Sequence, residues 1–143
     1  MDADRIVEKW RAQALGLRWN NPGNLRPGKD KWIGEIVPLN GYCRFDTPEH
    51  GLRAMAKDLL AKYRRGLVSI QQILRVYAPP EENDTDAYIA AVCRDTGFLP
   101  YAWLHLTEPT TLCSVVVAMI KHEQRLCPYS DEQIAGAVAA ALT

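Results

Sequence analysis

Glu123 is the residue whose position in the sequence most clearly suggests chemistry. It follows Val116, Met119 and Ile120 by seven, four and three residues, so helical spacing puts it on the side of their apolar stripe. A carboxylic acid that loses hydration holds its proton more tightly and can donate it near neutral pH. Glu123 is therefore a candidate general acid. The alternative is that it lies at a frayed helix end or pairs with a neighbouring cation such as Arg125.

His122 directly precedes Glu123, and adjacent residues on a helix do not face the same way. Its expected role is to orient other groups or to lie at the surface. Serine and cysteine residues do not occur in a recognisable nucleophile motif, so a hydrolytic triad is not predicted.

Residues 20–26 form a predicted turn that carries several amides and one cation beside tryptophan side chains. Amides can bind the hydroxyl and acetamido groups of a sugar polymer, and an indole can cover the apolar face of a sugar ring. The alternative is that asparagine and glycine serve only the left-handed backbone of the turn. The candidate substrate-binding residues are Asn20, Asn21, Asn24, Arg26 and Trp32.

A two-carboxylate glycoside hydrolase needs a second carboxyl group about 5 to 10 Å from the first. The candidates are Glu35, Glu49 and Glu82. Glu35 lies on a predicted strand, where every second side chain faces outward, so exposure is its default. If the second carboxylate is absent, a lytic transglycosylase or a substrate-assisted route is favoured.

Composition excludes several other classes of protein. The formal net charge of zero lacks the basic stripe of a nucleic-acid-binding surface. The longest apolar stretch, residues 112–120, is far shorter than the roughly 20 residues of a membrane span. The acidic N-terminus does not resemble a signal peptide. The four cysteines lack the spacing of a zinc site, so core packing is expected, and neither metal nor organic cofactor is predicted.

Periodicity and capping residues predict six helices and one hairpin within a single domain, residues 1–143. The expected helices span residues 4–15, 48–65, 70–77, 86–95, 109–125 and 132–142. Two short strands are expected at residues 32–37 and 41–45, around the turn at 38–41. These elements predict a mainly α fold of the α+β class, in which a helical bundle carries a short β-hairpin.

Two segments resemble parts of cell-wall hydrolases. The sequence VAMIKHEQRLCPYSD at residues 117–131 resembles the catalytic helix of the lysozyme superfamily, which implies that Glu123 is the general acid. The segments at residues 24–26, 31–34 and 45–54, with Tyr63 and Ser69, are similar to the second half of glucosaminidase-type autolysins. In those families the glutamate helix comes first, so the resemblance implies a circularly permuted lysozyme-like domain. Permutation is physically feasible because domain termini often lie close together.

A broader resemblance covers about nine-tenths of the chain. The pattern NNPGN at residues 20–24, APPEENDT at 78–85 and His122 with Glu123 is similar to a family of small phage and prophage proteins described as virion-associated. Such relatives tend to have Asn-Gly after His-Glu, whereas this chain has Gln124 and Arg125.

Together, the two resemblances predict a phage-type hydrolase that cleaves peptidoglycan glycan strands, with Glu123 as general acid and the turn and hairpin as the opposite wall of a cleft. The alternative is a non-catalytic virion or tail component that binds the cell wall or another phage protein. The expected partners are peptidoglycan glycan strands and other phage virion proteins, without nucleic acid or membrane insertion. Synthesis in a bacterial cytoplasm without a signal peptide, and action in the periplasm or within a virion, are expected.

Overall fold

The computed structural model describes residues 2–143, with the side chains of residues 6 and 9–14 outside that description. The described chain forms six helices and one two-stranded antiparallel sheet, which confirms the predicted mainly helical α+β class. The elements are α1 (Ala3–Gly16), β1 (Glu35–Leu39), β2 (Tyr42–Phe45), α2 (Pro48–Arg64), α3 (Ile70–Tyr77), α4 (Thr85–Thr96), α5 (Pro109–Gln124) and α6 (Asp131–Leu142).

Helices α2, α3, α4 and α6 each begin after a residue whose side chain caps the first turn. The side chains of Thr47, Ser69, Asp84 and Ser130 each accept a hydrogen bond from a backbone N–H of the first turn that follows. These bonds satisfy donors that a helix start otherwise leaves without a partner. Gly97 ends α4 in the left-handed conformation, as its sequence position predicts.

The hairpin differs from its prediction at the first strand, which begins at Glu35 rather than at residue 32. Leu39 pairs with Tyr42, so the connecting turn contains only Asn40 and Gly41, both with positive φ. Two left-handed residues form the type I′ turn that matches the twist of paired strands. This turn shifts β1 toward the C-terminus and leaves residues 32–35 as a separate turn.

The main hydrophobic cluster lies among α2, α3, α4, α5 and α6, with further residues from the loop before α5. A smaller cluster of Leu25, Cys43, Phe45 and Ala54 joins the hairpin to α2. The four cysteines are free thiols, of which Cys43 is buried and the others are partly exposed. Within residues 2–143, the helices fall short of the length and apolarity that crossing a membrane requires.

Candidate functional site

Glu123 lies in the last turn of α5 and is buried, with 1% of its surface exposed. The Asn24 side-chain amide donates a hydrogen bond to Oε2 of this carboxylate at 2.7 Å. Periodicity correctly places Glu123 toward the core, but its partner lies 99 residues earlier in the chain. The turn at residues 20–25 therefore contacts Glu123 directly and does not face it across an open cleft.

Both the nitrogen and the oxygen of the Asn24 side-chain amide make hydrogen bonds. Its Oδ1 accepts a hydrogen bond of 3.2 Å from the side chain of Gln124, which also donates to the carbonyl of Pro22 at 3.0 Å. Gly16 makes this approach possible, since a Cβ there would collide with Gln124 and lie 2.7 Å from Oδ1 of Asn24. Glu123, Gln124 and Asn24 form a polar contact, here named the Asn24 joint, between the turn and the end of α5.

Two tyrosines complete the surroundings of the Asn24 joint. Burial is the largest cause that raises the pKa of Tyr88 well above its usual value, and the charge of Glu123 adds to the shift. Burial and the charge of Glu123 also raise the pKa of Tyr77, whose hydroxyl donates to the carbonyl of Gly23. His122 stacks on the Tyr88 ring with centroids 3.9 Å apart, so it holds the tyrosine in position.

Asn20 and Asn21 use their side-chain amides to hold the backbone of the turn and hairpin. The amide nitrogen of Asn21 donates to the carbonyls of Leu25 and Cys43 at 3.0 and 2.9 Å, and its oxygen accepts from the Leu25 N–H. The Asn20 amide donates to the Phe45 carbonyl at 3.1 Å. Asn20 and Asn24 also have positive φ. This agrees with the alternative in which the asparagines serve the left-handed backbone of the turn and do not bind a sugar.

The other two candidate binding residues lie in different surroundings. Arg26 is exposed, donates to Glu82 at 3.0 Å and to the Tyr42 hydroxyl at 3.2 Å, and places its guanidinium 4.9 Å above the Tyr42 ring. Trp32 is half-buried against the small cluster that joins the hairpin to α2. Of the five candidates, Asn24 and Arg26 share one cleft.

The three candidate second carboxylates lie in three separate places. Glu35 accepts from the Trp32 N–H at 3.0 Å, and it adds to burial in raising the pKa of the Cys43 thiol to about 12. Glu49 accepts from the Gln133 side chain at 3.2 Å. Glu82, which pairs with Arg26, is the one of the three that lines the cleft containing Asn24.

That cleft has a volume of about 490 Å³ and lies between the turn, α2 and the end of α3. It also contains Asp58 and Lys62, which the sequence did not assign to a site: Lys62 begins a charge run that predicts a solvated helix end, whereas in the structure only 9% of its surface is exposed. Lys62 donates to Asp58 at 2.7 Å, and its ammonium lies 5.5 Å from the centre of the Tyr77 ring. The spacing of four residues on α2 was the available signal, but it is typical of many surface ion pairs. Within residues 2–143, histidine, cysteine and carboxylate groups do not gather in threes around a possible metal position.

Fold and site together define a class: a small, mainly helical α+β protein in which an N-terminal asparagine turn is bonded to a buried glutamate near the end of α5. No family model matches the chain. The chain is 40% identical over 131 residues to Protein P5 of Pseudoalteromonas phage PM2, with 85% of this chain and 78% of Protein P5 covered. The chain therefore belongs to the family of this phage protein.

Proposed function

We propose that the protein is a non-catalytic component of a phage particle and that Glu123 serves its structure. The family relationship to a phage protein supports the first part. The burial of Glu123 carries the second, because a general acid must come within hydrogen-bond distance of the oxygen that it protonates. With 1% of its surface exposed and one carboxylate oxygen bonded to Asn24, Glu123 does not reach a substrate in this conformation.

The hairpin provides a surface for contact with another protein of the particle. Ile36, Val37 and Leu39 on β1 are large apolar residues with 43%, 68% and 46% of their surface exposed. Neighbouring exposed apolar residues often mark surfaces that bind another protein. Such a surface fits a protein that occupies a place within the virion, as the relationship to a phage protein also supports.

The experiment is quantitative mass spectrometry of gradient-purified particles from the phage or prophage that encodes the chain. The expected result is that the protein is present in a fixed ratio to the major capsid protein and remains after a high-salt wash. Its absence from purified particles would contradict the proposal. A particle protein known to be internal and one known to be external provide controls for the wash.

Cleavage of peptidoglycan glycan strands is the second candidate function, and one observation favours it. Asn24, which covers Glu123, also lines the 490 Å³ cleft. This alternative requires the Asn24 side chain to move away from Glu123, so that the carboxylate becomes accessible from the cleft. In this alternative Glu123 protonates the leaving glycosidic oxygen, and Asp58 or Glu82 is the second carboxylate.

The two candidates differ in the effect of Glu123→Gln. The variant keeps the size of the side chain and an oxygen that accepts the Asn24 hydrogen bond, but it cannot act as a carboxylic acid. The non-catalytic proposal expects no release of soluble fragments from purified peptidoglycan by wild type or variant. Release by the wild type that falls about 10²- to 10⁴-fold in the folded variant would establish the enzyme instead.

A further inference from the structure

The cleft beside the Asn24 joint has the charge pattern of a binding site for an uncharged polar ligand. Its described lining includes three cations and three carboxylates, so their formal charges cancel; these are Arg5, Arg26, Lys62, Asp58, Glu81 and Glu82. Its volume of about 490 Å³ lies within the range typical of small-molecule sites. The cleft is therefore large enough for a ligand, but it does not favour a strongly charged one.

Lys62 is the most informative residue of this lining. Only 9% of its surface is exposed, although lysine is rarely buried in folded proteins. Its partner Asp58 and the nearby Tyr77 ring hold the ammonium in one place. A buried ion pair contributes little net stability, because desolvation of both charges offsets their attraction. The pair instead provides a fixed donor beside a fixed acceptor at the wall of the cleft.

Arg26 and Glu82 provide a second donor beside an acceptor in the same cleft, 3.0 Å apart. A charged ligand would compete with these two ion pairs and with the contact of 3.9 Å between Arg5 and Glu82. A hydroxyl group would not, because it can accept a hydrogen bond from the cation while it donates one to the carboxylate. Leu25, Val76 and Pro79 provide apolar lining for the carbon face of a ring.

We propose that this cleft binds an uncharged sugar unit, with the Lys62–Asp58 and Arg26–Glu82 pairs contacting its hydroxyl groups. The inference goes beyond the proposed function and does not depend on it, because it concerns binding by the isolated protein and not its place in a particle. Binding without cleavage is compatible with a virion component that contacts a glycan.

The test uses the full chain and two neutral probes, a trimer of N-acetylglucosamine and maltotriose, in titrations followed by calorimetry and NMR. Lys62→Met is compared with Lys57→Met, since residue 57 is also on α2 but is not among the described residues of the cleft. We expect at least one probe to bind at millimolar or lower concentration, with an affinity that salt does not change. Lys62→Met should weaken it at least about tenfold, because a hydrogen bond from a charged group is lost, while Lys57→Met leaves it unchanged.

Preference for the acetylated trimer would point to an amino-sugar glycan, and preference for maltotriose to another glycan; both support the proposal. If Lys62→Met does not fold, Arg26→Gln replaces it, since the Arg26 side chain is 54% exposed. N-acetylmuramic acid, which carries a carboxylate, is titrated as a charged comparison. Failure of both neutral probes to bind, equal effects of the two lysine variants, or tighter salt-sensitive binding of N-acetylmuramic acid would overturn the proposal.

Discussion

The N-terminal turn with its hairpin is stabilised by different forces from those that stabilise the helical core of α2–α6. In the core, buried residues such as Leu59, Leu60 and Met119 pack apolar side chains against each other. In the turn, asparagine amides bond to backbone carbonyls and to Glu123. Apolar packing tolerates changes of shape that keep the volume, whereas a buried polar contact fails when one partner is removed. The turn should therefore be the more sensitive region, residue for residue.

The largest difference is expected between two glycine substitutions. A Cβ at Gly51, on α2, would collide with the carbonyl oxygen of Asn20, whereas a Cβ at Gly136, on α6, would contact nothing within 4 Å. Gly51→Ala should lower the free energy of unfolding by about 3 kcal/mol or more. Gly136→Ala should raise it by up to about 1 kcal/mol, because alanine favours the helix.

Urea unfolding followed by circular dichroism measures both variants. Similar small changes would show that the turn does not press against α2 as closely as the structure indicates.

The next largest effect is expected when Asn24 is compared with Asn40. The comparison separates the stability that comes from the hydrogen bonds of the Asn24 joint from that which comes from its backbone conformation. Asn24 and Asn40 both have positive φ, but Asn40 is exposed in the hairpin turn. Asn40→Ala should cost about 1 kcal/mol from backbone strain alone. Asn24→Ala should cost about 3 kcal/mol, because it also removes the amide that donates to a buried carboxylate.

Equal losses of unfolding free energy in these two variants would contradict the energetic importance of the Asn24–Glu123 contact. Asn24→Asp is a useful third variant, since it puts a second carboxylate beside Glu123 and should be at least as destabilising as Asn24→Ala.

Alkaline pH tests the burial of the Cys43 thiol, which belongs to the small cluster between the hairpin and α2. Burial and then Glu35 raise the pKa of Cys43 from 9.0 to about 12, so the unfolded chain loses this proton at lower pH than the folded one. The contribution of this thiol to the free energy of unfolding is fully present below pH 9 and is lost as pH rises toward 12, with roughly 2 kcal/mol lost at the middle of that interval.

Thermal unfolding measured through this pH range should show a shallower decline for Cys43→Ala than for wild type. Cys43→Val, which keeps more of the side-chain volume and also lacks an ionisable group, is the control for packing and should show the same shallower decline. Identical slopes for all three proteins would contradict the buried environment of Cys43.

The smallest effect is expected at the start of α6, on the surface of the helical region. The Ser130 side chain accepts from the Gln133 N–H, and the Gln133 side chain accepts from the Ser130 N–H, which is a complete capping box for α6. Ser130→Ala should cost about 1 kcal/mol, measured by the same urea unfolding. A loss as large as that of Asn24→Ala would contradict the ranking of the two regions.

Local sequence signals were enough to predict the helices, because apolar spacing and capping residues act within a few positions of each other. Thr47, Ser69 and Ser130 each bond to a residue three positions later. The burial of Glu123 also follows from such spacing. The first strand was predicted three residues too early, because the left-handed turn at Asn40 and Gly41 determines its register.

The site itself depends on contacts between distant parts of the chain, which local patterns do not contain. The amide of Asn24 was predicted as a substrate-binding group, but in the structure it bonds to residues 99 and 100 positions later. Asp58 and Lys62 become part of a cleft only because residues 24–26 and 76–83 lie beside them. The lysozyme likeness, the permuted order, the single domain and the candidate catalytic residues remain predictions.

The most direct test of the central claim is the infectivity of particles that carry Glu123→Gln. If Glu123 holds the turn against α5, this variant keeps an acceptor for Asn24, and the plaque titre should equal that of wild type. The melting temperature of the purified variant establishes that it folds. A folded variant whose titre falls by about 10²-fold or more would show that the carboxylic acid itself is required and would contradict a structural role for Glu123.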